Sequence, residues 1–275
     1  MGELGKQCRN QFRLECFLLS HRNPRRFVQY QCGNQPLYLV WRVFWALYHT
    51  AWIIVTGVRA DQWAGPDRSQ YTKWFIFLTD WAYLCLTIAT IADAMVTTYI
   101  HFKRMDIRKG AAASLPWYLR ADWCLTTTAH VVSVVTSAAY WGLVYSGDEV
   151  TAVDIETHVI NSVYVILNVC VTGMPIRILH FWFPTLFGLT YSLFSLFYHL
   201  AGGTNHNENP YIYPALDWRK PGTAILYCAI VTFVVTPILH GILFGIHCLK
   251  VLISRQFICC IAGPELEDIK MDQIS

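Results

Sequence analysis

The run Trp74-Phe75-Ile76-Phe77-Leu78-Thr79-Asp80-Trp81 is apolar except for a hydroxyl and a carboxyl placed side by side. A threonine with a nearby base is the least apparatus that attacks an acyl bond. The bases on offer are imidazoles. His158 and Asn161 stand three residues apart, hence on one face of a helix, and His199 belongs to a later apolar stretch. Thr79 and His158 are therefore the candidate catalytic pair, with Asp80, Asn161 and His199 as supporting polar residues. The competing reading, which spacing alone favours, is hydrogen bonding between helices by threonine and asparagine.

These groups meet only if long elements bring them to one depth, and the composition says what those elements are. Of 275 residues, 55% are apolar, 15% aromatic and only 14% charged, with mean hydropathy +0.35. A soluble domain carries about a quarter of its residues as charges. The aromatic content excludes a disordered chain, and a net charge of +3 supplies no basic face for nucleic acid. Lipid is the expected solvent. Six stretches suit spans of about 20 residues: 37–58, 74–100, 121–145, 158–174, 178–201 and 223–249. The fourth is short, and Pro175 and Arg177 turn it into the fifth. The expected fold is all-α, a polytopic bundle of six transmembrane helices, with a basic tail over 1–36, a membrane domain over 37–249 and a second tail over 250–275.

Basic residues set the orientation. Fifteen of the 21 lysines and arginines fall in the N-terminal tail, the second and fourth connections and the C-terminal tail, among them Arg25, Arg26, Lys103, Arg177 and Lys250. Five lie on the other side: Arg59, Arg68, Lys73, Arg219 and Lys220. Both termini are thus expected in the cytosol. In this orientation Thr79, roughly 7–8 Å below Trp74 at the helical rise, shares the outer depth with His158, Asn161 and His199. No continuous apolar core precedes residue 37, so no cleavable signal peptide is expected. Trp41, Trp45, Trp52, Trp74 and Trp81 read as an interfacial girdle.

Asp80 is within reach of Lys73, and Asp93 of Arg42, for pairing inside the bundle. The remaining intramembrane histidines (His49, His130, His180, His240 and His247) share no ligand spacing, and no metal or other cofactor is expected. Gly241 and Gly245 form a G-x-x-x-G that fits bundle packing and self-association equally. The ten cysteines avoid the outer loops, so no disulfide is expected. Cys259 and Cys260, just past the last span, fit S-palmitoylation as well as they fit two plain thiols. The polar turn Asn205–Asn209 reads as solvated, with Tyr211, Tyr213 and Trp218 exposed around it.

Two resemblances add to this. The Phe77-Leu78-Thr79 segment resembles that of the androgen-induced and androgen-dependent multi-span threonine hydrolases, which cleave fatty-acid esters of hydroxy fatty acids. That likeness places Thr79 on the nucleophile, but the His-x-x-His segment carrying the base reads His158-Val159-Ile160-Asn161 here. A neutral amide takes no proton from a hydroxyl. The second likeness covers nearly the whole chain. Met174-Pro175-Ile176-Arg177-Ile178-Leu179-His180-Phe181, Leu200-Ala201-Gly202-Gly203-Thr204-Asn205 and Tyr211-Ile212-Tyr213-Pro214-Ala215-Leu216-Asp217-Trp218 resemble the insect rolling stone family, in which His-x-x-Asn is the pattern at this place.

The second resemblance implies a multi-pass plasma-membrane protein required for myoblast fusion during muscle development. The outward connections, 59–73, 146–157 and 202–222, are too short for an adhesion domain, so it would act with other proteins of the fusion machinery and with membrane lipids. The alternative is an intramembrane threonine hydrolase of lipid esters. A small transporter has less support, because no internal repeat or paired broken helix is visible.

Overall fold

In a computed structural model, residues 12, 16–32, 35–64, 67–147 and 149–262 are described. Their regular elements are all helices, with no strand among them beyond a single isolated bridge, Tyr30 to Thr172. We label the main helices α1 (Gln35–Val58), α2 (Leu78–Lys103), α3 (Trp117–Ala139), α4 (Asn161–Val171), α5 (Trp182–Leu200), α6 (Pro221–Ile230) and α7 (Thr236–Ala262). Proline opens α6 at its first position, where the missing N–H costs nothing. Gly202, at φ 79°, stops α5.

Among the described residues, three segments are long and apolar enough to cross a membrane: Pro36–Val58, Leu78–Lys103 and Pro221–Ser254. The other three expected stretches are helical as well, but differently composed. α3 is rich in polar residues, and Thr126, Thr127, His130, Ser133, Thr136 and Ser137 are all buried. It can be so because it is the central helix, packed against α2, α4, α5 and α7. The outer helices are built the other way round. α1 exposes Leu37, Val40, Val43, Phe44, Leu47 and Ile54, an apolar stripe at helical spacing that faces away from the bundle.

Three π turns interrupt the helices among the described residues. Tyr140–Val144 extends α3, Glu156–Ile160 joins the short helix Ala152–Ile155 to α4, and Val231–Val235 joins α6 to α7. Each wider turn inserts a residue and frequently marks a functional place.

Two apolar clusters hold the bundle. Leu86, Ala89, Val131, Tyr164, Val165 and Leu243 meet in the middle. At one end Phe27 and Val28 of the N-terminal segment pack with Ile100, Leu119 and Trp123. That segment is fastened by hydrogen bonds from Gln31 N to Val171 O (2.9 Å), Arg26 Nε to Gly173 O (3.2 Å) and Arg177 Nη1 to Leu18 O (2.8 Å).

Candidate functional site

α2 begins at Leu78 without a side-chain cap. Its first N–H is instead taken up from outside: Leu78 N donates to Tyr213 Oη at 3.0 Å, and Tyr191 Oη donates to Ile76 O at 2.8 Å. The Tyr213 hydroxyl also faces the Thr79 side chain. The next residue, Asp80, sits in the first turn, where the positive end of the helix dipole favours a carboxylate.

Thr79 and Asp80 open onto a cavity of about 440 Å³, within the range of small-molecule sites. Residues from all three π turns line it: Tyr140 and Leu143 from the first, Thr157 and His158 from the second, Val231 and Thr232 from the third. α3 contributes Val135 and Ala139, α5 contributes Phe187 and Gly188, and the 202–222 loop closes over the top. The candidate pair thus shares one chamber, without a hydrogen bond between Thr79 and His158. The His158 ring stacks flat on Tyr140, with centroids 3.7 Å apart, and its buried Nδ1 has no hydrogen-bond partner among the described residues.

The supporting residues divide. Asn161 is not in the lining: its Oδ1 accepts from Ser137 Oγ at 3.1 Å, and its Nδ2 donates to Thr157 O. His199 Nδ1 lies 3.1 Å from Pro210 O and is likewise outside the lining. Cys259 and Cys260 fall on the last turns of α7, whose side chains lie outside the described residues. Among the described residues no three His, Cys, Asp or Glu side chains are placed to hold a metal ion.

The expected Asp80–Lys73 pair does not form. Lys73 Nζ donates instead to Thr204 Oγ1 (2.8 Å) and Asn205 O (2.6 Å), because the loop offers oxygens closer to its own end of the chain segment. Asp80 is 9% exposed and makes no hydrogen bond or ion pair among the described residues. The polar turn is solvated only in part, at the exposed Asn207 and Glu208. Asn205 is buried, its Oδ1 accepting from Asn207 N at 2.9 Å and Asn209 N at 3.0 Å, and it lines the cavity with His206. Burial and then the Lys73 charge push the His206 imidazole below its ordinary range. Tyr211, Tyr213 and Trp218 are half-buried rather than exposed. Trp218 Nε1 donates to Ser195 Oγ at 3.2 Å, and burial followed by the Asp80 charge raises the Tyr213 phenol.

Three buried polar groups were not singled out as site residues in the sequence. Glu156 accepts from Tyr48 Oη at 2.7 Å and Tyr83 Oη at 3.0 Å. Asn168 accepts from Trp41 Nε1 at 3.1 Å and Arg42 Nη1 at 3.0 Å, and its Nδ2 lies 3.1 Å from His130 Nε2. Asp122 is buried beside Asp93. Glu156 was readable as a carboxyl two residues ahead of an apolar stretch; Asn168, a neutral amide in such a stretch, gave little signal.

A family model described as "Protein rolling stone" matches residues 15–266. The chain belongs to the rolling stone family. Protein rolling stone of Drosophila melanogaster is 29% identical over 230 residues, covering 80% of each chain. No solved structure matches. Membership and the apolar helices together make this a membrane protein, and two of the segments that carried the resemblance, 200–205 and 211–218, contribute to the loop over the cavity, whereas none of residues 174–181 lines it. In Leu200-Ala201-Gly202-Gly203-Thr204-Asn205, a Cβ at Gly203 would stand 2.3 Å from the Tyr198 ring. Tyr213 is the residue that reaches α2.

Proposed function

We propose that this chain is a multi-pass membrane protein acting in myoblast fusion during muscle development, and that it works through partner proteins rather than as an autonomous fusogen. The proposed layout has six crossings in the plasma membrane and both termini in the cytosol, with α3, α4 and α5 completing the set begun by the three apolar segments. The uneven division of lysine and arginine supports it. In that layout the cavity lies toward the outer face.

The observation that carries the non-autonomous part is the inward fold of the longest outer loop. Lys73 holds Thr204 and Asn205, Tyr213 holds Leu78, and Trp218 holds Ser195. A loop spent on its own bundle has no apolar segment left to insert into an opposing bilayer. Expressing the protein in two populations of non-fusing cells, each with its own fluorescent marker, tests this. Unmixed markers are the expected result, and abundant double-labelled syncytia would overturn the reading.

A second reading, an intramembrane threonine hydrolase of hydroxy-fatty-acid esters, is favoured by Thr79, Asp80 and His158 lining one chamber. Against it stands Asn161, whose amide is occupied by Ser137 and Thr157. Genetic rescue of fusion with Thr79→Ala, together with fluorophosphonate labelling of purified protein, separates the two. Full rescue and no labelling support the partner-dependent role. Failed rescue, with labelling that vanishes in Thr79→Ala, establishes the enzyme.

A further inference from the structure

The cavity's charge is lopsided. Its lining contains the carboxyls of Asp80 and Asp154 and the imidazoles of His158 and His206, but among the described residues no lysine or arginine. Asp154 is already engaged by Thr151, whose N–H and hydroxyl donate to Oδ2 at 3.0 and 2.7 Å. Asp80 is the group left over. The nearest basic side chain along the sequence, Lys73, is turned away to the loop. A buried carboxylate is costly unless it is paired. The α2 N-terminus supplies roughly half a positive charge, which leaves the balance unmet. Phe77, Tyr213 and Tyr191 line the same chamber, with the Phe77 and Tyr213 rings 5.8 Å apart and edge-on. Such rings attract a cation and repel an anion. The rest of the wall is mainly apolar, with Val132, Val135, Ala139, Leu143, Phe187 and Val231; the hydroxyls of Thr136 and Ser192 among them donate to carbonyls of their own helices. At about 440 Å³ the space is many times the ~30 Å³ share of one water, and an apolar wall offers water few hydrogen bonds.

We propose that the chamber binds a single-chain lipid amine, with its ammonium group against Asp80 and its tail along the apolar wall formed by α3, α5 and the third π turn. An acidic chamber without lysine or arginine turns away a carboxylate or phosphate head. The proposal uses the membrane setting inferred above and depends on neither fusion nor hydrolysis.

The test uses the purified full chain in neutral lipid nanodiscs and three photoactivatable probes of identical chain, ending in a primary amine, an alcohol or a carboxylic acid. The amine labels peptides of α2, α3 and α5 and is preferred over the alcohol by about tenfold, the equivalent of ~1.4 kcal/mol, with the acid weakest. Asp80→Asn brings the amine down to the alcohol. Ala139→Phe, which fills the apolar end and leaves the carboxyl untouched, weakens all three probes and guards against a folding defect in the first variant. Equal binding of alcohol or acid, an amine preference surviving in Asp80→Asn, or label mapping outside the chamber would each overturn it. Absence of fluorophosphonate labelling removes the hydrolase and leaves amine binding standing; loss of amine preference does the reverse.

Discussion

Arg42 lies 2.9 Å from Asp93, donates to Asn168 at 3.0 Å and also reaches Tyr38 Oη, while both charged side chains are 2% exposed or less. Its guanidinium also sits over the Tyr38 ring. Removing one member of such a pair strands the other as an uncompensated charge, which costs about 3–5 kcal/mol. Arg42→Leu is therefore expected to lower the detergent melting temperature sharply, and Arg42→Leu with Asp93→Asn to recover much of the loss. An equal loss in both variants would show that the pair is not what holds α1 to α2. The Arg42–Asp93 pairing was readable, because two opposite charges inside apolar stretches have few other partners. The Asp80–Lys73 pairing, inferred by the same logic, failed: adjacency along one segment says nothing of loop oxygens that arrive from residues 204 and 205.

At the scale of elements, the glycines divide by what surrounds them. A Cβ on Gly173 would stand 2.6 Å from Arg26 O and 3.0 Å from Gln29 O, both backbone atoms that cannot swing aside. Gly241 and Gly245 meet nothing within 4 Å, so their G-x-x-x-G motif serves no close approach inside this chain. Gly173→Ala should cost about 1–3 kcal/mol. Gly241→Ala should leave stability unchanged or raise it slightly through helix propensity. Thermal unfolding of the two variants beside the parent checks both, and equal destabilisation would refute the distinction. The existence of the helices was legible from apolar runs. The π turns were not, since a single extra residue leaves composition intact and only shifts the phase of the pattern by about 100°. A constant period puts His158 and Asn161 on one face, whereas His158, in the π turn, lines the cavity and Asn161 does not.

For the whole molecule, the N-terminal segment closes one end of the bundle. His21 is buried there, edge-on to Phe27 and Trp123, with Nδ1 accepting from Asn23 N at 3.0 Å. Burial, then the Arg177 and Arg26 charges, lowers its imidazole to about 4 from an ordinary 6.5. The folded form thus keeps His21 neutral while the released segment binds a proton below about 6.5. Docking is complete above that pH and weakens progressively as the pH falls toward 4. Hydrogen exchange over residues 21–31 should speed up across that window, and His21→Phe should flatten the response. A profile unchanged between pH 7 and pH 5 in the parent would contradict the assignment.

That closure has a consequence for biosynthesis. Leu18 accepts its hydrogen bond from Arg177, 159 residues later, and Lys250 donates to Thr172 O at 2.7 Å beside the same junction. Residues 18–31 must wait for residues 171–177 before their seat is complete. Until then Phe27, Val28 and their neighbours stay uncovered at the membrane surface, within reach of chaperones and quality-control proteases. A truncation that stops short of residue 171 should therefore be recognised as unfinished at its opposite end.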